Sequence, residues 1–377
     1  MIPNSKSNSS MEKYLQSLVE KKVIPGISLL TGQHGDIRYK NQYGYRSLLP
    51  SKEVLPQDTP ALYDMASLTK PLVTAFLTVF LEEREKLNLD TAVRHFFPQL
   101  PPEFDMTLLH LLTHTSGLPA WYPFYLFNDD YLPLFSQLNL ESKPGKKVEY
   151  SCVGYILLHY ILGKITGMTF QTFAHREIFV PLGLNHTFLK VPDRLKTSAA
   201  PTENGNLFEK KTVEDWALKA EGRKHMDRVY KYKWRQTLIQ GETHDINSYH
   251  LGGSAGNAGL FSTAEDIFRL CREFFPSTAS ILKPASLECF WSNFTPRKKS
   301  HRTVGFKRNS SLITSGGHSL SKESIGHNGF TGTSVWLDPK NEAVYVILAN
   351  RVHPVYKSMN FDLIRRRLHR LLSKYNA

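Results

Sequence analysis

Apolar residues recur at different intervals in different stretches of the chain, and the interval predicts the element. Residues 11–22 ("MEKYLQSLVEKK") bring apolar side chains back every three to four positions, the spacing of an amphipathic helix. The stretch "GISLLTGQHGDIRYKNQYG" (26–44) reads as two strands joined by a turn at His34–Gly35. From Leu72 through Leu81 apolar residues dominate, which predicts a core-buried helix. Helical patterns continue in "MTLLHLLTHTSGLP" (106–119), "CVGYILLHYILGKITG" (152–167) and "FQTFAHREIFVPLG" (170–183), with Gly117, Pro119 and Gly167 as stops. Past residue 320 strands return in "GTSVWLDP" (332–339) and "EAVYVILANR" (342–351), and a last helix covers about 356–374.

Strands at both ends around a helical middle predict an α/β fold of the α+β type, its sheet built from both chain ends. The expected organisation is one unit over 1–377, with an α/β part at about 11–80 plus 240–377 and a mainly helical lobe at about 81–239. A cleft between the two is where a small-molecule site is expected. Composition fits a globular chain: 41% of the 377 residues are hydrophobic and 21% charged. Cys152, Cys271 and Cys289 are too widely spaced for a disulfide framework or a zinc site. The polar start "MIPNSKSNSSMEKYLQ" lacks the apolar stretch of a secretory signal, and no apolar run reaches membrane-span length, so a soluble cytoplasmic protein is expected. The formal charge of +13 concentrates in Lys210–Arg235 and in "RRRLHR" (365–370). The second run alternates with Leu363, Ile364, Leu368, Leu371 and Leu372, as in a helix with one buried and one solvated face. No recognition motif accompanies the charge, so nucleic acid is not an expected partner.

Three short stretches carry candidate chemistry. Ser67-Leu68-Thr69-Lys70 is an S-x-x-K at a helix start, which puts both side chains on one face. Free N–H groups and the dipole there favour developing negative charge. Pro71 holds that first turn. Serine needs a neighbour to take its proton, and a desolvated Lys70 has a lowered pKa, so Lys70 is a candidate base. Tyr150-Ser151-Cys152 follows a turn at Pro144–Gly145 and opens the 152–167 helix. A tyrosine there is ordinarily a packing residue, and alternatively a phenol that shuttles a proton. "IGHNGFTGT" (325–333) precedes a strand; its glycines would let a substrate backbone approach, and His327 is ordinarily a structural histidine, or alternatively one that orients a carbonyl or carboxylate or supports the phenol.

In this order and at these spacings, S-x-x-K, Y-S-x and H-x-G resemble the serine β-lactamase and penicillin-binding-protein superfamily, most closely its class C β-lactamase branch with related esterases and D-amino-acid peptidases. "LLHLLTHTSGLP", "APTENG", "ETHDINSYHLGGSAGNAGLFSTAEDI" and "ILANRVHP" also match, so the resemblance reaches from about residue 25 to the C-terminus. It implies an antiparallel sheet of about five or more strands flanked by helices, with a mainly helical lobe. It implies Ser67 as acylated nucleophile, Lys70 assisting its deprotonation and Tyr150 as general base and then acid. The oxyanion hole would be the Ser67 and Phe330 backbone N–H groups, with His327, Gly329 and Cys152 at the substrate, and neither cofactor nor metal. Cys152 stands where lactamases and peptidases of this kind carry an amide-binding asparagine, and His327 where many carry lysine. Both departures favour an ester or small-amide hydrolase over a β-lactamase, D-alanyl-D-alanine carboxypeptidase or D-aminopeptidase. Residues 209–233 are extra to the pattern and have no assigned role.

Other readings compete. Gly252-Gly253-Ser254-Ala255-Gly256 matches the G-x-S-x-G nucleophile elbow, with Asp338 and His353 following in order, although "THDINSYHL" is too polar for the buried strand an elbow needs. A binding protein on the same scaffold would ordinarily have lost Ser67 or Lys70. His244-Asp245 is a weak metal pair without a third ligand. Cys152, opening an apolar helix, is more readily an inert buried thiol than a redox group.

Overall fold

The computed structural model describes residues 10–56, 58–127, 129–219, 224–310 and 314–376. Three strands come from the start of the chain: β1 (Gly26–Gln33), β2 (Asp36–Ser47) and β3 (Glu53–Val54). β4 (Tyr63–Asp64) and β5 (Phe261–Ser262) pair with each other in a separate two-stranded ribbon. The end of the chain supplies β6 (Lys307–Arg308), β7 (Ile325–Asn328), β8 (Ser334–Asp338) and β9 (Ala343–Ala349). The main sheet has seven strands in the order β3-β2-β1-β9-β8-β7-β6, every neighbouring pair antiparallel. This is the expected sheet, joined from both chain ends where Ile27 pairs with Ala349. Among the described residues no strand lies between β4 and β5, and helices fill that stretch.

Local chemistry accounts for these elements. Gln33 pairs with Asp36, leaving His34 and Gly35 as a two-residue loop with φ of 51° and 85°. Two positive φ values are what a type I′ turn requires, and that turn matches the strand twist. The unbroken apolar run of β9 reflects cover on both sheet faces. Tyr345, Ile347 and Ala349 pack with Met11, Leu15 and Leu368 from the Ser10–Glu20 and Phe361–Leu372 helices. Val344, Val346 and Leu348 face the larger core, with Ile267 and Leu270 of the Ala264–Cys271 helix.

Several expectations are corrected. The 106–119 helix is short, Leu108–Leu112, because His114 (φ 57°) and Gly117 (φ 81°) turn the chain back. The last helix starts at Phe361, and its faces are not those the leucines suggested. Leu363 is 57% exposed whereas Arg365 is 5% exposed, because the Arg365 guanidinium bonds carbonyls of the loop after β7. The strands β3–β6 are two residues each, too short to leave a periodic signature.

Candidate active site

Ser67 is presented by a strained turn. β4 ends at Asp64, Ala66 takes φ 47°, and a single 3₁₀ turn, Ala66–Leu68, follows. A left-handed conformation at alanine costs about 1–2 kcal/mol. Asp64 holds it, accepting the Ala66 N–H at 2.8 Å through one oxygen and the His244 N–H at 2.8 Å through the other. The chain then runs through a widened helical segment, Lys70–Ala75, with Pro71 in its first turn, into the Phe76–Glu83 helix. From Ala61 to Leu81 every side chain is buried except Ser67, which opens onto a cavity of about 360 Å³.

Lys70 is wholly buried, and its ammonium donates to Ser67 Oγ at 2.9 Å and to the Asn257 carbonyl at 2.9 Å. Nζ also lies 5.0 Å from the centre of the Tyr150 ring. Polar side-chain interactions link the Tyr150 phenol to both Lys70 and Ser67, and the Cys152 thiol to Lys70 and Tyr150. Burial is the largest influence on Lys70 and lowers its pKa, but the negative charge that Cys152 and Tyr150 take on when ionised, and the bond to Tyr150, leave it raised. Desolvation therefore does not make Lys70 a free amine, contrary to the expectation from its burial alone. Burial raises the phenol of Tyr150 and the thiol of Cys152. Cys152 is thus held as a thiol at neutral pH.

Tyr150 is aimed by His114, which spacing alone did not single out. The His114 carbonyl accepts the Glu149 N–H at 2.9 Å, and its Nδ1 accepts the Ser151 N–H at 3.1 Å. The His114 and Tyr150 rings lie 4.6 Å apart. Burial keeps His114 well below the usual imidazole pKa, so it acts as a neutral acceptor. Ser151 caps the Cys152–Thr166 helix through the Gly154 N–H and anchors it to the Pro119 carbonyl.

The opposite wall comes from β7 and the loop after it, where His327, Gly329 and Phe330 all line the cavity. The Phe330 backbone N–H has no acceptor among the described residues. Ser67, in the first turn of its 3₁₀ segment, likewise has an N–H without an intrahelical acceptor. Gly329 has a packing role as well as a place on the cavity wall. A Cβ there would lie 1.9 Å from Thr333 Oγ1 and 2.6 Å from the Met65 carbonyl, so the absent side chain lets this loop dock on the Ser67 turn. Arg365 clamps the loop from behind, donating to the Gly329 carbonyl at 2.7 Å and the Thr333 carbonyl at 2.9 Å. His327 Nδ1 donates to the Asn328 carbonyl at 2.9 Å. Burial, then Lys70 and Arg302, hold its pKa well below the usual value, so the imidazole is neutral.

Positive charge enters this cavity from elsewhere. Arg302, Lys307, Arg351 and Arg365 line it, against one carboxylate, Asp362, which pairs with Arg365 at 2.9 Å. Arg302 is 8% exposed, its guanidinium has no hydrogen-bond or ion-pair partner among the described residues, and it lies 5.9 Å from the Tyr150 ring centre. A second cavity of about 210 Å³ also opens onto Ser67 and Tyr150, lined by Trp121, Cys152, Phe208, Glu209, Asp245 and Phe330 among others. Phe208 and Glu209 belong to the Leu207–Lys219 helix, so the extra segment reaches the site.

The competing residues are dispersed. Ser254 is buried and accepts from Gln171 at 2.8 Å; Asp338 accepts the Ser321 and Lys340 N–H groups; His353 bonds the Thr202 carbonyl and the Leu48 N–H. Among the described residues no hydrogen bond joins any two of the three, so they form no triad. His244 pairs with Glu203 at 3.1 Å, and Asp245 caps the Ile246–His250 helix through the Ser248 N–H. No helix among the described residues is long and apolar enough to cross a membrane.

The family model described as Beta-lactamase matches residues 11–369. The chain belongs to the Beta-lactamase family. It is a serine hydrolase of that family. Among its relatives is a protein of Escherichia coli (strain K12) described as "Putative D-alanyl-D-alanine carboxypeptidase", 27% identical over 379 residues, covering 92% of this chain and 82% of that one. Two solved structures share the β-lactamase fold. One is EstCE1, a hydrolase with promiscuous acyltransferase activity (TM-score 0.71, 19% identity, 95% of this chain and 97% of that one). The other is a class C β-lactamase from Rhodobacter sphaeroides (TM-score 0.69, 19% identity, 97% and 99%).

Proposed function

We propose that this β-lactamase-family protein cleaves small esters or amides through an acyl-enzyme on Ser67. The observation that carries this reading is the Lys70 ammonium 2.9 Å from Ser67 Oγ, in a cavity that also holds Tyr150 and the unpaired Phe330 N–H. Ser67 Oγ attacks the carbonyl carbon and its proton passes into the Tyr150–Lys70 pair. The Ser67 and Phe330 N–H groups take the negative charge of the tetrahedral intermediate, where such donors are worth several kcal/mol. The intermediate collapses, Tyr150 returns a proton to the leaving alcohol or amine, and water repeats the sequence to free Ser67. Lys70 serves as a cation that orients Ser67 and Tyr150. Because Lys70 and Tyr150 are both raised, the base appears when the coupled pair gives up one proton, and acylation should accelerate with pH above neutrality.

Esters are favoured because Cys152 supplies no amide to grip a substrate amide, and a neutral His327 supplies no charge. Cleavage of a substrate with a terminal carboxylate, as the name of the Escherichia coli relative suggests, is the second reading, and Arg302, whose guanidinium has no hydrogen-bond or ion-pair partner among the described residues, favours it. Turnover of p-nitrophenyl esters, a chromogenic cephalosporin and an acylated D-alanyl-D-alanine, each against a Ser67→Ala control, tests both. The first reading expects Ser67-dependent ester cleavage without D-alanine release or cephalosporin turnover. D-alanine release would move the assignment to the second, and no Ser67-dependent turnover of any would leave a binding scaffold.

A further inference from the structure

The Phe330 N–H and the Gly329 carbonyl are the two ends of one peptide unit. A trans peptide is planar, so its N–H points opposite to its carbonyl, and whatever holds the oxygen sets the direction of the hydrogen. Arg365 holds the oxygen: its guanidinium donates to the Gly329 carbonyl at 2.7 Å and to the Thr333 carbonyl at 2.9 Å. The Phe330 N–H therefore points away from Arg365, and it has no acceptor among the described residues. Two further bonds fix where this peptide sits. Thr331 Oγ1 donates to the Asp64 carbonyl at 2.7 Å and Thr333 Oγ1 to the Met65 carbonyl at 3.1 Å, which ties the loop to the turn that presents Ser67.

Arg365 is a costly residue for packing alone. It is buried, its Nε has no hydrogen-bond partner among the described residues, and Asp362 takes Nη1 while Nη2 serves the two carbonyls. An apolar side chain of similar volume would hold the Phe361–Leu372 helix in place without burying a charge. Burial, opposed by Asp362, brings the guanidinium down to about 10, so it is charged at neutral pH. A cation on the oxygen of a peptide polarises the whole unit and makes its N–H a stronger donor.

We infer that Arg365 is a positioning residue for the oxyanion hole: through the Gly329 carbonyl it aims the Phe330 N–H at the developing oxyanion and strengthens that N–H as a donor. This rests on the acyl-enzyme reading and makes the Phe361–Leu372 helix part of the apparatus that stabilises the tetrahedral intermediate.

The test exchanges the atom that becomes negative. 4-Nitrophenyl acetate and its thiono analogue, with C=S in place of C=O, share a leaving group and carry no charge, so neither calls on Arg365 as a binding cation. The longer C–S bond carries the developing charge away from the point at which the donors are aimed. Arg365→Gln should lower kcat/KM for the oxoester about tenfold or more, since losing one oxyanion donor outright costs about 10²–10³. The thionoester should slow much less, so the oxygen-to-sulfur rate ratio falls. The alkaline rise in acylation should keep its midpoint, because the Lys70–Tyr150 pair is untouched. Arg365→Lys should lower the ratio part-way, one ammonium being unable to span both carbonyls and Asp362 as the planar fork does. Each variant is read below its own unfolding midpoint. If Arg365→Gln does not fold, Arg365→Lys decides, and an unchanged ratio there overturns the inference. Equal slowing of both esters, a shifted alkaline rise, or full activity in Arg365→Gln also overturns it. So does a ratio in the unmodified protein no greater than that for hydroxide in water, since there would then be no oxyanion donor to aim. Ester turnover that survives Ser67→Ala would instead overturn the acyl-enzyme reading.

Discussion

Replacing Lys70 by methionine separates a catalytic cation from a structural one. Lys70 is completely buried and is offset by bonds to Ser67 Oγ and the Asn257 carbonyl, both at 2.9 Å. Burying an ammonium costs several kcal/mol in practice. Two hydrogen bonds from a charged group return about 1.5–3 kcal/mol each. These terms nearly cancel, and methionine fills a similar volume, so Lys70→Met should shift stability by no more than about 2 kcal/mol in either direction. The reaction should respond quite differently. Without the cation Ser67 Oγ keeps only its link to Tyr150 and nothing of opposite charge eases ionisation of that phenol, and loss of acid–base assistance costs about 10²–10⁴ in rate. The measurement is a pair: the second-order rate of Ser67 fluorophosphonylation, and the midpoint of thermal unfolding. A labelling rate within threefold of the unmodified protein would refute the role of Lys70. A collapse of the unfolding temperature matching the loss of rate would make it a structural residue.

Three further outcomes follow from the same geometry. Tyr150→Phe should slow acylation by about 10²–10⁴ and flatten its rise with pH above neutrality, and a retained alkaline rise would remove Tyr150 from the proton path. Cys152→Asn should raise acylation by penicillin or amide substrates relative to esters; an unchanged ratio, read by mass spectrometry of Ser67, would leave Cys152 without influence on substrate class. Glu209 binds its proton more tightly in the folded chain than in the unfolded one, so stability should fall as pH rises from about 4.5 toward 8. Burial and then Asp245 raise its pKa against Tyr125, Trp121 and Arg235, and Glu209→Gln should flatten the decline between pH 5 and pH 9 in a thermal melt. An unchanged slope would place the titration elsewhere.

What the sequence makes legible follows from range. Ser67 and Lys70 stand three residues apart, so helical geometry alone joins them, and the β1–β2 hairpin is written in a two-residue turn. Apolar runs placed β8 and β9 within two residues of their observed ends. Groups that act across the fold leave no such trace. Arg365 looks like one more solvated charge in "RRRLHR", yet it is buried because it bonds carbonyls more than thirty positions away. Arg302 and Glu209 sit in stretches with no motif, and only packing brings them to Ser67. At Gly329 the sequence gives no sign of the crowding from Met65 and Thr333 that excludes a side chain, because both lie elsewhere in the chain's fold.

The central claim is that Ser67 forms the covalent acyl-enzyme. Intact-protein mass spectrometry after incubation with a fluorophosphonate, followed by mapping of the modified peptide, tests it most directly. The account predicts a single adduct on Ser67, absent from Ser67→Ala and slowed in Lys70→Met. An unlabelled Ser67, or an adduct on Ser254, would contradict it.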